Sequence, residues 1–66
     1  MKEGTEPMLN LKIMRIKKGL TQTELARQIG ISQNSLSFYE IGKRSPRKNV
    51  LVKLAEALDG EIKDII

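Results

Sequence analysis

Two helix-start patterns in close succession fix the path of the chain through its middle. Thr21 followed by Glu24 forms a capping box, in which each side chain accepts a hydrogen bond from the backbone N–H of the other residue. Leu20 and Leu25 flank this pair as a hydrophobic staple. A short helix therefore begins at Thr21 and continues to Gly30, because a glycine commonly ends a helix.

The same arrangement starts again immediately after Gly30. Ser32 occupies the capping position, and Ile31 and Leu36 flank it as a second staple. Only about three or four residues remain to connect the two helices, so they must cross steeply. Ala26 fits such a crossing, since its small side chain lets the second helix pack close to the first. The pattern predicts a helix-turn-helix.

Helical periodicity continues on both sides of this pair. Between Met8 and Lys18, the apolar residues Met8, Leu11 and Met14 recur at helical spacing with basic residues between them. A later helix is expected from the Ser-Pro dipeptide at residues 45–46 to about Leu58, followed by a last short turn, "EIKDII". These segments together predict an all-α fold.

The size and composition of the chain limit its organisation and chemistry. A chain of 66 residues has room for one small domain with a single core. We assign residues 8–66 to that domain and residues 1–7, which have mixed charge and no periodicity, to a disordered tail. Without Cys or His, the chain cannot form disulfides, thiolate or imidazole metal sites, or a nucleophile–histidine pair. We therefore expect no enzyme activity, no cofactor or metal, and no small-molecule ligand.

Hydropathy and charge indicate where the protein acts and on what kind of partner. No apolar run is long enough to span a membrane, and the start lacks the apolar stretch of a signal peptide. We expect a cytoplasmic protein with no membrane partner. A formal net charge of +4 favours an anionic partner.

The helix that follows Ser32 has two different sides. On a wheel of about 100° per residue, Leu36 and Tyr39 lie on one side and are expected to hold the helix to the core. The opposite side carries amides, a hydroxyl and apolar groups but no charge: Gln33, Asn34, Ser37, Phe38 and Ile41. Such a face is suited to contact a ligand.

Double-stranded DNA matches that face. The major groove admits a helix, and the amides of Gln33 and Asn34 can each make two hydrogen bonds to adenine, worth about 1 to 3 kcal/mol of discrimination. Ser37 can donate or accept a hydrogen bond, and Phe38 can contact a thymine methyl group. The first turn of such a helix is the part that enters the groove. We therefore predict that these four residues contact bases.

A second set of residues is predicted to contact phosphates. Basic side chains follow the base-contacting helix closely, and such groups position a protein on DNA without specifying sequence. The N-terminus of the preceding helix offers free backbone N–H groups and polar side chains, which suit an anion. The predicted phosphate-contacting residues are Thr21, Gln22, Thr23, Ser35, Lys43, Arg44, Arg47 and Lys48.

The segment "GLTQTELARQIGISQNSLSFYEIGKRSP", followed by "LAEAL", resembles the lambda-repressor-like family, also called Cro/C1-type or XRE-type helix-turn-helix proteins. The resemblance covers about residues 8 to 66 and implies a compact five-helix domain that binds operator DNA as a dimer and usually represses transcription. By position, Gln22 matches the phosphate-clamping glutamine of the family, and Gln33 begins its base-contacting set. Arg15 and Glu40 match a structural ion pair between the first and third helices.

The last residues suggest an interface with a second subunit. Ile62, Ile65 and Ile66 are more apolar surface than a short terminal turn can easily bury, so we expect them at the interface of a homodimer. Two domains on one DNA gain effective concentration, and their half-sites in a near-palindromic operator should lie about 34 to 36 Å apart. The alternative is a protein-interaction module of the same fold, in which Phe38, Ile41 and the C-terminal isoleucines bind a protein partner.

Overall fold

The computed structural model describes residues 6–66 and shows five α-helices in that part of the chain. In chain order they are α1 Leu9–Lys17, α2 Gln22–Ile29, α3 Gln33–Ile41, α4 Lys48–Ala57 and α5 Ile62–Ile65. The predicted all-α class is confirmed. Among the described residues, no helix has the length and apolar character needed to cross a bilayer.

Each helix contributes one side chain with no exposed surface to a single core. These five residues are Leu11, Leu25, Leu36, Leu54 and Ile65. Full burial of a side chain of this size is worth about 1.5 to 3 kcal/mol. Because even the short α5 supplies one of them, removing any helix would open the core to water.

Caps fix where α2 and α3 begin, as the sequence predicts. The Thr21 hydroxyl accepts a hydrogen bond from the backbone N–H of Glu24 at 3.0 Å, and the Glu24 carboxylate accepts one from the backbone N–H of Thr21 at 2.8 Å. The Ser32 hydroxyl accepts from the backbone N–H of Ser35 at 3.0 Å. Both helices therefore start at defined residues, which fixes the length of the turn between them.

The start of α4 differs from the prediction. The sequence places it at the Ser-Pro dipeptide of residues 45–46, but the helix begins at Lys48, with Arg47 in extended backbone as its N-cap. The first helical hydrogen bond runs from the backbone N–H of Leu51 to the carbonyl of Arg47. Ser45 and Pro46 thus belong to the loop before α4, because Pro is compatible with a turn as well as with a first helical position.

The ends of α1 to α4 share one geometry. In each, a residue with positive φ turns the chain, and the next backbone N–H donates to a carbonyl five residues earlier. The residues with positive φ are Gly19, Gly30, Gly42 and Asp59. At the end of α4 this is Asp59 and not its neighbour Gly60, and an aspartate tolerates this conformation better than most residues do.

Gly42 also lies against the segment that precedes α1. A Cβ at this position would lie 2.6 Å from the backbone nitrogen of Pro7 and 2.7 Å from the carbonyl carbon of Glu6. Glu6 and Pro7, which the sequence assigned to the tail, therefore pack closely against Gly42 at the end of α3. Residues 1–5, the rest of that predicted tail, lie outside the described residues.

Gly42 and Gly30 form a matched pair for testing this packing. Both have positive φ, but a Cβ on Gly30 would meet no atom within 4 Å. We expect Gly30→Ala to lower the free energy of unfolding by about 1 kcal/mol, the cost of a left-handed non-glycine residue. Gly42→Ala should cost at least about 1 kcal/mol more, because crowding of this kind adds to the strain. Urea denaturation of the two variants measures both, and equal losses would contradict the packing of residues 6 and 7 on Gly42.

Candidate nucleic-acid interface

The predicted helix-turn-helix is formed by α2 and α3. Residues 30–32 connect them, beginning with Gly30 at φ +80° and ending with the cap Ser32. Ala26 is buried at the crossing, as expected for a small residue that lets two helices approach closely. The turn holds α3 in a fixed orientation across α2.

The two sides of α3 separate as the helical wheel predicts. Leu36 and Tyr39 are buried, together with Glu40. The opposite side is open to solvent: Gln33, Asn34, Phe38 and Ile41 are exposed and Ser37 is half-buried. The four predicted base-contacting residues therefore share one accessible face, which starts at the first turn of the helix.

A buried ion pair connects α1 to α3. The Arg15 guanidinium donates two hydrogen bonds to the Glu40 carboxylate, from Nε to Oε2 at 2.6 Å and from Nη2 to Oε1 at 3.1 Å. Arg15 Nη1 also donates to the backbone carbonyl of Leu20 at 2.8 Å, just before α2. Two-point pairing of this kind fixes orientation as well as distance. The pair therefore fixes the positions of α1, α3 and the residue before α2 relative to one another.

Two amide side chains extend this ion pair to the exposed face of α3. Gln22 Nε2 donates to Glu40 Oε1 at 2.9 Å, and Gln33 Nε2 donates to Gln22 Oε1 at 2.6 Å. Since a carboxylate only accepts hydrogen bonds, Gln22 must turn its NH2 group towards Glu40 and its oxygen towards Gln33. Gln33 is left with its own oxygen and one N–H for another partner, the donor and acceptor combination that pairs with adenine.

The N-terminus of α2 carries the remaining polar groups of the predicted phosphate site. Thr21 and Thr23 are exposed there, and Gln22 is half-buried beside them. The pKa of Glu24 lies below its ordinary value. The main cause is the hydrogen bond from the backbone N–H of Thr21, followed by the interaction with the Thr21 hydroxyl, because both favour the charged carboxylate. The stabilisation from this capping box is present above the ordinary pKa of a glutamate and is lost as the pH falls through the lowered value.

The predicted basic cluster lies in the loop between α3 and α4 and at the start of α4. Lys43, Arg44, Arg47 and Lys48 are all exposed. The Lys43 ammonium lies 5.9 Å from the centre of the Phe38 ring, within cation–π range. This contact places one basic side chain next to the exposed face of α3.

The C-terminal isoleucines do not share one environment. Ile65 has no exposed surface, so its predicted place at a subunit interface is wrong for the folded domain, which uses this side chain in its own core. Ile62 packs partly against the core, whereas Ile66 is 65% exposed. Asn10 Nδ2 donates to the Ile66 carbonyl at 3.1 Å and holds the end of the chain beside α1.

Comparison of the chain with known proteins identifies its family. A family model described as helix-turn-helix matches residues 11–65. The chain belongs to the helix-turn-helix family. The resemblance drawn from the sequence motifs is thereby confirmed.

Several members of the helix-turn-helix family are similar over most of the chain. An HTH-type transcriptional regulator from Archaeoglobus fulgidus is 33% identical over 55 residues, which make up 83% of this chain and 79% of that protein. The restriction-modification controller protein C.AhdI from Aeromonas hydrophila has a structure with a TM-score of 0.81 and 33% identity, covering 86% of each chain. The structure of SinR, a master regulator for biofilm formation, in complex with DNA has a TM-score of 0.79 and 28% identity, covering 88% of this chain and 97% of that one.

Two features of this helix-turn-helix domain were not anticipated from the sequence. The hydrogen bonds of Gln22 to Glu40 and Gln33 depend on how α2 and α3 cross, and no local pattern contains that information. The second feature is an exposed apolar row on α1, which the sequence shows as the i, i+4, i+7 spacing of Leu9, Ile13 and Ile16.

The buried ion pair yields a stability prediction. We expect Glu40→Gln to lower the free energy of unfolding by about 3 kcal/mol, because removal of one buried partner leaves the Arg15 charge without compensation. Replacement of both residues by methionine should cost less than Glu40→Gln alone, since no charge is then stranded. Urea denaturation of the two proteins provides the comparison. If the double variant is less stable than the single variant, the attraction within the ion pair exceeds the cost of burying its two charges.

Proposed function

We propose that this helix-turn-helix protein is a cytoplasmic, sequence-specific transcriptional repressor that binds a near-palindromic operator as a homodimer. The exposed face of α3 enters the major groove, where Gln33, Asn34, Ser37 and Phe38 contact bases. Occupation of a promoter then blocks RNA polymerase. The family supports DNA binding and transcriptional regulation, and one similar structure, that of SinR, is a complex with DNA.

The observation that carries the proposal is the arrangement of Gln33 at the first turn of α3. Its amide is exposed, yet one N–H is held by Gln22 Oε1 at 2.6 Å. An amide fixed in this way loses less conformational entropy on binding than a free one, and its donor and acceptor are already directed. Asn34 and Phe38 are exposed on the same face and complete a surface that can distinguish base pairs.

Phosphate contacts are proposed on both sides of α3. On one side lies the N-terminus of α2, where the positive end of the helix dipole and the exposed Thr21 and Thr23 favour an anion. On the other side lies the basic loop. The proposed set is Thr21, Gln22, Thr23, Ser35, Lys43, Arg44, Arg47 and Lys48.

A homodimer is supported by energetics and by the exposed C-terminus. A single domain of this size makes few DNA contacts, whereas two joined domains bind paired half-sites with a high effective concentration. Ile66 is 65% exposed and Ile62 is half-buried, so these two residues are the proposed dimer contacts. The twofold symmetry of such a dimer requires an operator with matching symmetry.

Selection of bound duplexes from a random library tests the proposal directly. We expect a near-palindromic consensus, and we expect Gln33→Ala to lose about 1 to 3 kcal/mol of discrimination at one base pair of each half-site. Gln28→Ala is the matched control, because Gln28 is an exposed amide on α2 that lies in a groove with Lys53 and Glu56 of α4. Its consensus should equal that of the wild type.

Other results of this selection would redirect the assignment. If no sequence is enriched, a protein-interaction role for the exposed Phe38 and Ile41 becomes the better explanation. If Gln33→Ala leaves the consensus unchanged, Gln33 is not a base contact. A consensus without symmetry would contradict the homodimer.

The phosphate contacts predict a change in salt dependence. In a titration of the selected duplex across a salt series, Arg44→Ala should reduce the slope of log affinity against log salt by about one for each contact removed. Lys53→Ala is the matched control, since this exposed lysine of α4 lies in a groove with Gln28 and is not one of the proposed phosphate contacts. Equal slopes for the two variants would remove Arg44 from the proposed phosphate set.

A further inference from the structure

An apolar row runs along the outer side of α1. Leu9, Ile13 and Ile16 are 60%, 49% and 56% exposed. Their spacing of four and three residues places them on one line of the helix surface. Three large aliphatic side chains in one line are a patch, unlike the single exposed apolar residues that occur on any protein.

Neither folding nor the proposed DNA contacts account for this row. The core-facing side of α1 is defined by Leu11 and Arg15, which are buried against the rest of the domain. At 100° per residue, Leu9, Ile13 and Ile16 lie on the opposite side of the helix. Since Arg15 reaches towards Glu40 of α3, the row faces away from α3 and stays open when α3 is on DNA.

The row has the geometry of a coiled-coil seam. Residues spaced four and then three apart correspond to heptad positions d, a and d, which pack against a second helix. The neighbouring e and g positions, whose charges determine the choice of partner, are Lys17 and Lys12. Both are exposed. An apolar line bordered by a lysine on each side is complementary to a helix with an apolar line bordered by carboxylates.

We propose that the outer face of α1 docks an amphipathic helix of another protein, with aliphatic side chains on Leu9, Ile13 and Ile16 and carboxylates beside Lys12 and Lys17. A second copy of α1 is a poor occupant, because α1 carries no acidic residue and would place lysine against lysine. Three half-exposed side chains also cover much less than the about 800 Å² per partner of a stable dimer. The contact suits a weak, reversible interaction with a domain that is already bound to DNA.

A pair of designed peptides tests this docking with the full chain. Both peptides are single helices with Leu and Ile at positions a and d. One has Glu at every e and g position, the other has Lys, and the like charges keep each peptide from pairing with itself. In an NMR titration of the isotope-labelled protein without DNA, we expect the Glu peptide to shift resonances of residues 9–17 and to bind at least about tenfold more tightly than the Lys peptide.

Variants of exposed residues keep the fold intact and identify the face. The double variant Ile13→Gln, Ile16→Gln should weaken binding of the Glu peptide about tenfold or more, through loss of apolar contact. Val52→Gln, a change of the same kind at an exposed residue of α4, should leave it unchanged. The double variant Lys12→Glu, Lys17→Glu should reverse the preference in favour of the Lys peptide. Circular dichroism melting checks that every variant folds.

Four results would overturn the proposal. The first is the absence of saturable shifts in α1 with either peptide, and the second is equal affinity for the two peptides. The third is a dimer, detected by sedimentation equilibrium, that dissociates in the double variant Ile13→Gln, Ile16→Gln; this would identify a second copy as the occupant. The fourth is binding to anionic phosphatidylserine vesicles that depends on the same two isoleucines, which would identify a lipid surface.

Discussion

The Glu40 carboxylate is the group on which the arrangement of this domain depends. It is buried, and a buried charge costs several kcal/mol unless donors surround it. Here the donors come from α1 through Arg15 and from α2 through Gln22, while Glu40 itself belongs to α3. In this arrangement the three helices bring all of these donors to the carboxylate at once. The cost of burying it therefore penalises other packings of the same helices, which an apolar core of leucines would tolerate more easily.

This constraint reaches the exposed face of α3 through a short chain of hydrogen bonds. The carboxylate fixes which way the Gln22 amide faces, and Gln22 in turn fixes the Gln33 amide. Each amide has a donor end and an acceptor end, so the orientation of one amide determines the orientation of the next in this series of hydrogen bonds. The orientation of an exposed side chain is thus set by a charge in the interior. Such support from the scaffold is what a precise recognition surface requires.

The sequence predicted correctly those features that depend on residues close together in the chain. Thr21 and Ser32 as caps were predicted correctly, because each cap involves residues three apart in the chain. Predictions failed where packing between elements far apart in the sequence determines the position of a residue. Ser-Pro permits a helix start, but packing places the start of α4 at Lys48. Ile65 was expected at a homodimer interface on the ground that three isoleucines exceed what a short turn can easily bury, yet α5 packs against α1 and α4 and buries this side chain in the core.

The outer side of α1 shows a different relation between sequence and fold. A helix at the surface of a small domain needs one apolar side, and α1 already has it in Leu11 and its neighbours. A second apolar side adds nothing to the core and exposes aliphatic surface to water. Neither the Glu40 network nor the buried core uses Leu9, Ile13 or Ile16, which stay 49% to 60% exposed. Side chains that the fold does not require, arranged at regular spacing and bordered by one kind of charge, are most simply explained by a partner outside the domain.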